Sequence, residues 1–420
     1  MLDVHAVPAG AAPADSSPLD LPADPAAVRE AGGKRARDLA AGSTVLDAEG
    51  LSGARLTAFV EGLVLGTYRF TEARDPKPGA TDVGLAGVDD TGDAIARGLR
   101  TAAAVAWARD LANTPAATKT PVWLARQATA ELGPLGVDVV EHDVDWLRAQ
   151  GMNGVLAVGG ASSAPPRLIE ASWRPRGAKA AGHVVLVGKG ITFDTGGLNR
   201  KVGDRMRTMH TDMSGGAAVL AALRSVAAEQ VPVRVTALVP AAENSFGAAS
   251  YRPSDVVRHH GGRTSEILNT DAEGRIVLAD ALAYAAARLR PSALVDVATL
   301  TGAMKLALGM RLGGLFATDE ALARELLAAG ETTGERLWRM PLQDEYVPRL
   351  DSDVADANNS PGTPGAITAA LFLRPFAGEV PWAHLDIAGP ARAGGNDGMI
   401  SRGATGFGAR LLADWVRARA

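Results

Sequence analysis

The sequence predicts an α/β protein with a mainly parallel central sheet flanked by helices, and a smaller α/β domain at the N-terminal end. Three observations lead there. Residues 183–187, 233–239, 294–298 and 382–387 are short, largely apolar runs, and helix-like stretches separate most of them. That alternation gives a parallel sheet covered on both faces. A chain of 420 residues exceeds what one ordinary core needs, so two domains are expected. Finally, residues 187–217 place charged side chains among glycines directly after an apolar strand, which is what the open end of such a sheet offers a ligand.

Residues 1–31 are dominated by Ala, Pro, Asp and Ser. Pro8, Pro13, Pro18, Pro22 and Pro25 argue against a long regular element, so a mobile tail or a loosely packed edge is expected. Residues 32–93 read as the small N-terminal domain, with a helix at 51–65 and a loop marked by Pro76, Pro78 and Gly79. An alanine-rich helix at 94–111 ends before Asn113 and Pro115. The main domain, residues 113–420, opens with a helix at 121–132, for which Thr120 is the N-cap and Pro121 sits in the first turn. A strand at 137–140, a helix at 144–150 closed by Gly151, and strands at 155–158 and 168–173 follow. Residues 217–228 and 276–289 read as helices, each directly after a charged stretch.

A formal net charge of −4 gives no general pull towards nucleic acid or anionic membrane. The absence of cysteine excludes disulfides and thiolate ligands and fits a reducing compartment. No signal peptide and no apolar run long enough for a membrane span are visible. A cytoplasmic protein is therefore expected.

The two charged stretches carry the chemistry. The first, VGKGITFDTGGLNRKVGDRMRTMHTDMSGGA, holds Lys189, Asp194, Lys201 and Asp212; the second, LNTDAEGRIVLA, holds Asp271, Glu273 and Arg275 at alternate positions. In an extended segment such residues point to one side. The cluster also lies just before a predicted helix start, where anions are favoured. Asp194, Asp212, Asp271 and Glu273 brought together would repel and raise one another's pKa. Two divalent cations would cancel four negative charges, so a dinuclear metal site explains the cluster. Hard oxygen ligands suit Zn²⁺, Mn²⁺ or Mg²⁺ alike. On spacing alone, Lys189 reads first as a salt-bridge partner of these carboxylates, and Arg275 as a partner of Asp271 or Glu273. Solvated surface charges are the plainer alternative for the first stretch.

These motifs resemble the leucyl aminopeptidase family of dinuclear metallopeptidases, of cytosol aminopeptidase type. The resemblance covers about residues 108–412 and includes GKGITFDTGG, TDMSGGAA, NTDAEGR, ARDLANTPA, GGASSAPPRLIE, VPAAEN, YRPSDV, ATLTGA, WAHLDIAG and GATGFG in one order. It implies a metal-dependent aminopeptidase that releases N-terminal residues, leucine and other apolar ones expected, from peptides with a free N-terminus. It implies that residues 94–112 are a linker helix and 113–420 the catalytic domain. Asp194 and Glu273 would bridge two divalent ions, with Asp271 on one and Lys189 and Asp212 on the other. Lys189 must then be neutral. Lys201 is similar to the family's carbonyl-polarising cation, and Arg275 to the arginine that holds a bicarbonate ion as proton shuttle. Met209, Thr299, Leu300 and Gly302 match substrate-binding positions, and Asp212 lies beside the site of the substrate's amine. The family also implies a homohexamer.

Two features depart from the family pattern. Arg200 and Val202 flank Lys201 where an apolar residue and a proline or small residue are usual, and His210 replaces a basic residue. Neither touches an inferred ligand. The histidines show no HExxH pattern. His384, in a strand-like run, is expected to be structural, and His259 and His260 are expected at the surface. A DNA-binding accessory protein and an inactive scaffold are the rival readings. No basic, aromatic-interleaved patch supports the first, and the intact site residues oppose the second.

Overall fold

The computed structural model describes residues 1–12, 19–39, 41–70, 80–90, 93–175 and 182–420. The N-terminal region runs β1 (Asp3–Val7), α1 (Pro25–Arg37), β2 (Gly42–Asp47), α2 (Gly53–Thr67) and β3 (Ala80–Ala86). The strands pair in parallel in the order β1-β3-β2, and α1 lies along α2.

The expected tail is thus folded in two of its parts. Val4 of β1 is buried, as is Leu2. Pro25 does not break structure but begins it: proline suits the first helical position, where an amide would lack a partner anyway. Asp24 caps that helix by accepting from the Ala27 amide at 2.9 Å. Pro13, Pro18, Pro76, Pro78 and Gly79 lie outside the described residues.

Next, α3 (Ala94–Asn113) carries the chain to the main sheet. Its Arg109 is fully buried and donates to the carbonyls of Leu65, Met399 and Thr405, so one side chain ties α2, α3 and the C-terminal segment together. The remaining elements are α4 (Pro121–Leu132), β4 (Asp138–His142), α5 (Val144–Ala149), α6 (Asn153–Gly159), β5 (Arg167–Trp173), β6 (His183–Gly188), β7 (Gly190–Asp194) and α7 (Ser214–Ala228). They continue through β8 (Arg234–Asn244), β9 (Val256–Arg258), β10 (Thr264–Glu266), α8 (Glu273–Tyr284), β11 (Ala293–Ala298), α9 (Gly302–Leu308) and β12 (Gly313–Ala317). The last are α10 (Glu320–Thr333), β13 (Leu337–Arg339), β14 (Ala357–Asn358), α11 (Gly365–Leu373), β15 (Trp382–Asp386) and α12 (Ala409–Arg417). Thr120 caps α4 as its sequence suggests, accepting from the Trp123 amide at 3.1 Å.

The main sheet has the order β13-β12-β15-β11-β6-β8-β5-β4, and β7 pairs with β8 beyond the end of β6. Its centre, β15-β11-β6-β8, is parallel, while β5 and β4 on one side and β12 on the other bring antiparallel pairings. Alternate residues of the central strands enter opposite cores. Val184, Leu186, Val295 and Val297 join α7 and α12 on one face, whereas Val185, Val187 and Leu294 join α6, α8 and α11 on the other. Burial on both faces explains why these strands read as continuous apolar runs. The first of these cores is continuous with the N-terminal region, from Leu2 to Val416. No helix among the described residues is long and apolar enough to cross a membrane.

Residues 155–158, expected as a strand, lie in helix α6. A four-residue apolar run does not distinguish the two by periodicity, and a distant residue decides: the buried Asp280 carboxylate accepts the Val155 amide at 2.9 Å, satisfying a donor that a helix start leaves free. The same carboxylate corrects the expected exposure of His259 and His260. Both are buried, with His259 Nδ1 3.1 Å from Asp280 Oδ1 and the His260 amide donating to that oxygen. His384 is buried in β15 and paired with Asp296.

Two stability predictions follow from buried charges. Arg29 of α1 pairs with Glu61 of α2 at 2.5 Å, with both side chains nearly inaccessible. Arg29→Ala is expected to cost about 3–5 kcal/mol in denaturant unfolding, because it strands a buried carboxylate. An Arg29→Met/Glu61→Met pair should recover much of that loss. Lys119, after α3, is completely buried on two carbonyls, Ala112 O at 2.7 Å and His210 O at 2.5 Å. Burial pushes its pKa down to about 7, whereas an unfolded lysine holds its proton to about 10.4. Between these values unfolding takes up a proton, so this group favours the native state more as pH rises. Measured against Lys119→Met, the wild type should gain up to about 1.4 kcal/mol per pH unit across that window, and a pH-independent difference would refute the lowered pKa, since a lysine charged in both states takes up no proton on unfolding.

Candidate metal centre

The charged residues singled out in the sequence converge at the carboxyl ends of the parallel strands. Lys189 sits in the break between β6 and β7, its backbone bonded to Val297 O at 3.0 Å and to the Gly216 amide at 2.8 Å. Asp194 ends β7, Asp212 follows a 3₁₀ segment at Gly203–Thr211, Asp271 precedes α8, and Glu273 is its first residue. Two glycine sites make the convergence possible. Gly196 and Gly197, at φ +89° and +62°, turn the chain so that the Gly196 amide donates to Asp194 Oδ1 at 2.8 Å and the Lys201 amide reaches Thr195 O at 2.9 Å. At Gly274 a Cβ would stand 2.7 Å from Lys189 Cε, so only glycine lets that lysine cross the start of α8.

Two lysines divide the carboxylates between them. Lys189 Nζ lies 2.8 Å from Asp212 Oδ2 and 2.8 Å from Glu273 Oε1, and it donates to Thr299 O at 3.0 Å. Lys201 Nζ lies 2.7 Å from Asp194 Oδ2 and also pairs with Asp271 Oδ1. Burial opposes the charge on both lysines, yet the surrounding carboxylates win: Asp212, Glu273 and Asp194 raise the Lys189 pKa, and Asp194 and Glu273 raise that of Lys201. The carboxylates still outnumber the cations. Burial, with Glu273 and Asp194, outweighs Lys189 and pushes Asp212 up to about 8. Burial and the same two neighbours push Asp271 up to about 6 despite Lys201.

The donor set fits divalent cations. Asp194, Asp271 and Glu273 each present a carboxylate oxygen within 4.8 Å of the others. Among the described residues Glu273 Oε2 is buried without any hydrogen-bond partner, an arrangement that is costly for an anion in protein alone. A cation there would satisfy it and relieve the repulsion that raises Asp212 and Asp271.

Arg275 differs from its sequence expectation. The chain is not extended past Glu273: α8 begins there, three residues earlier than read, so Arg275 lies in the first helical turn. The guanidinium makes no ion pair with Asp271 or Glu273. Its Nη1 donates to Asn359 O at 2.8 Å and its buried Nε has no partner. Burial lowers its pKa to about 10, with Glu273 and Asp386 opposing, so it remains a cation with an unused donor. Thr299 touches the cluster directly, its hydroxyl donating to Asp212 Oδ1 at 2.7 Å. Met209 is half-buried one turn before Asp212, Leu300 is half-buried, and Gly302 is exposed with open space where a Cβ would point. Arg200 and Val202 face solvent, while His210 is half-buried and held below the usual imidazole range, at about 4, by burial and by Lys119 and Arg392.

Sequence reasoning missed the residues that hold the ligands. Asn244, paired with Asp194 across β7 and β8, donates through Nδ2 to Asp194 Oδ1 at 2.8 Å and to Thr270 O at 3.0 Å. Tyr251 Oη donates to Thr270 O at 2.7 Å. Both lie in motifs noted above, VPAAEN and YRPSDV, but their roles depend on a strand register that spacing does not contain.

The profile of the cytosol aminopeptidase family catalytic domain matches residues 106–413. The probable cytosol aminopeptidase of Syntrophotalea carbinolica is 43% identical over 366 residues, 84% of this chain and 73% of that protein. That of Roseiflexus castenholzii is 45% identical over 376 residues, 86% of this chain and 77% of that protein. Among solved structures, the bottromycin maturation enzyme BotP in complex with Mn superposes with a TM-score of 0.89 at 37% identity, covering 99% of both chains. The cytosol aminopeptidase from Coxiella burnetii does so with a TM-score of 0.86 at 36% identity, covering 94% of this chain and 85% of that one. With its site built on the strand ends described above and its sequence matched over most of its length, the chain belongs to the cytosol aminopeptidase family and is a metallo-exopeptidase of the leucyl aminopeptidase type.

Proposed function

We propose that this aminopeptidase removes leucine and other apolar residues from peptide N-termini with two divalent ions, Zn²⁺ or Mn²⁺, held by Lys189, Asp194, Asp212, Asp271 and Glu273. The observation that carries the reading is the excess of buried carboxylates, with Glu273 Oε2 left unpaired. When bound, such ions supply Lewis acidity and a nucleophilic water at neutral pH.

The chain's own residues do the rest. Asp212, oriented by the Thr299 hydroxyl, would receive the substrate's free α-amine. Lys201, partly open to solvent and paired here with Asp194 and Asp271, would polarise the scissile carbonyl if cations took those oxygens, a donor worth about 10²–10³-fold in turnover. Arg275, with its free Nε, would hold bicarbonate by a planar fork of donors, and that anion would carry the proton to the leaving amine. Met209, Leu300 and Gly302 are assigned to the wall around the first side chain; methionine adapts to several apolar shapes. A catalytic domain of residues 113–420, a homohexameric assembly and a cytoplasmic location complete the proposal, on the strength of the family.

A second reading concerns the substrate. The end-to-end match to the bottromycin maturation enzyme supports a reading in which the chain acts in the maturation of one product and not on peptides in general. Comparing kcat/KM on simple aminoacyl substrates and on longer peptides separates the two.

Chelation is expected to abolish release of an N-terminal residue from a dipeptide, and Mn²⁺ or Zn²⁺ to restore it; full activity in metal-free protein would refute the metal reading. Glu273→Ala should bind both ions poorly by calorimetry. Arg275→Ala should keep both ions yet lose about 10²–10⁴-fold in turnover, the usual scale of acid–base assistance. Added bicarbonate should speed depleted wild type much more than this variant.

A further inference from the structure

Asp386 ends β15 with its side chain fully buried, opposite Ala298 of β11 and Gly314 of β12. Its carboxylate forms no ion pair within 4.0 Å among the described residues. Burial pushes its pKa up, and His384 with the donors of Thr301, Ala388 and Leu300 oppose that rise. Oδ1 accepts the Leu300 amide at 3.2 Å and the Ala388 amide at 3.1 Å. Oδ2 accepts the Thr301 amide at 3.1 Å and the Thr301 hydroxyl at 2.7 Å. An acid placed in so dry a position needs such donors, and three of the four come from one short segment, the link between β11 and α9.

That segment is the one that reaches the cluster. Thr299, the residue before Leu300, takes Lys189 Nζ on its carbonyl at 3.0 Å and gives its hydroxyl to Asp212 Oδ1 at 2.7 Å. The contacts therefore run from Asp386 through the Leu300 and Thr301 amides to Thr299, and from Thr299 to Lys189 and Asp212. The opposite half of the cluster has its own support, Asn244 on Asp194. Without Asp386, two adjacent amides at the start of α9 lose their acceptor, and Thr299 is left with its contacts to Lys189 and Asp212, the very groups it is to position.

We infer that Asp386 is a positioning residue for the aminopeptidase reaction: it clamps the 299–301 link so that Thr299 holds Lys189 and Asp212 in place. The inference rests on the ligand assignment proposed above. Partners of this kind, one shell away from ligands, typically change metal affinity or activity about 10–100-fold.

The test uses Asp386→Asn, which keeps the shape but turns an amide group towards donors, and Thr301→Val beside Thr301→Ser, which separate packing from the hydroxyl's two bonds, to Asp386 Oδ2 and from the Met304 amide that it caps. In metal-free full-length protein, hydrogen exchange of the peptide covering residues 298–304 should quicken in Asp386→Asn, because the Leu300 and Thr301 amides lose a charged acceptor, with β6 and α7 unchanged. In Mn²⁺-loaded protein, kcat should fall about 10–100-fold, and Mn²⁺ titration should show one of two ions weakened while the other holds. Thr301→Ser should keep turnover and Thr301→Val lose it, a pattern that a purely packing role for the side chain would not produce. Unchanged exchange in 298–304, or unchanged kcat in Asp386→Asn, overturns the inference. Should Asp386→Asn fail to fold, the threonine pair decides, and equal turnover of Thr301→Ser and Thr301→Val overturns it. Wild type that binds no Mn²⁺ would instead refute the metal assignment, while the exchange measurement would still report on the clamp.

Discussion

The structure depends on one electrostatic constraint: four carboxylates crowd the open end of a parallel sheet, and two lysines are too few to neutralise them. In a low-dielectric surround such repulsion is expensive, and its marks are visible. Asp212 and Asp271 are pushed up towards neutrality, and Glu273 keeps an oxygen with nothing to accept from. A fold maintains such an arrangement only where a bound cation repays it. The lysines, glycines and amide clamps around the cluster read as means of holding it together in readiness.

Parallel topology supplies the place. β6, β7, β8, β11 and β15 all finish at the same edge, so Lys189, Asp194, Asn244, Thr299 and Asp386 arrive together although they are far apart in sequence. The strands are covered on both faces and so have little freedom to shift. Ligands at strand ends inherit that rigidity. The 3₁₀ segment between Lys201 and Asp212 is the contrasting element: its exposed Arg205 and Arg207, with Arg200 and Val202 just before it, face solvent. Its anchoring is done at the two ends, by Lys201 and Asp212.

Long-range polar contacts decide the local conformation at several points. Asp280 selects a helix over a strand for residues 153–159 by accepting one amide, and holds His259 and His260 inside. Asp24 and Pro25 convert a proline-rich stretch into a helix start. Arg109 joins three segments through carbonyls alone. In each case the partner is remote in sequence or the signal is ambiguous over a few residues.

By itself the sequence determined the family and most of the sheet. Apolar runs mark buried parallel strands because such strands are covered on both faces, and charged residues set among glycines mark the mouth of the sheet because ligand sites need both. Lys189, Asp194, Lys201, Asp212, Asp271 and Glu273 were legible as a charged cluster from residue type and short spacing, while the role of each came from the family resemblance. Tertiary structure alone decided the rest. Arg275 lies in a helical turn and not an extended segment, because α8 starts at Glu273. β1 belongs to a sheet only through pairing with β3, some eighty residues away. Asn244 reaches Asp194, and Asp386 reaches Leu300 and Thr301, by strand pairing. Register between distant strands is set by the packing of whole faces, and no local spacing in the chain encodes it.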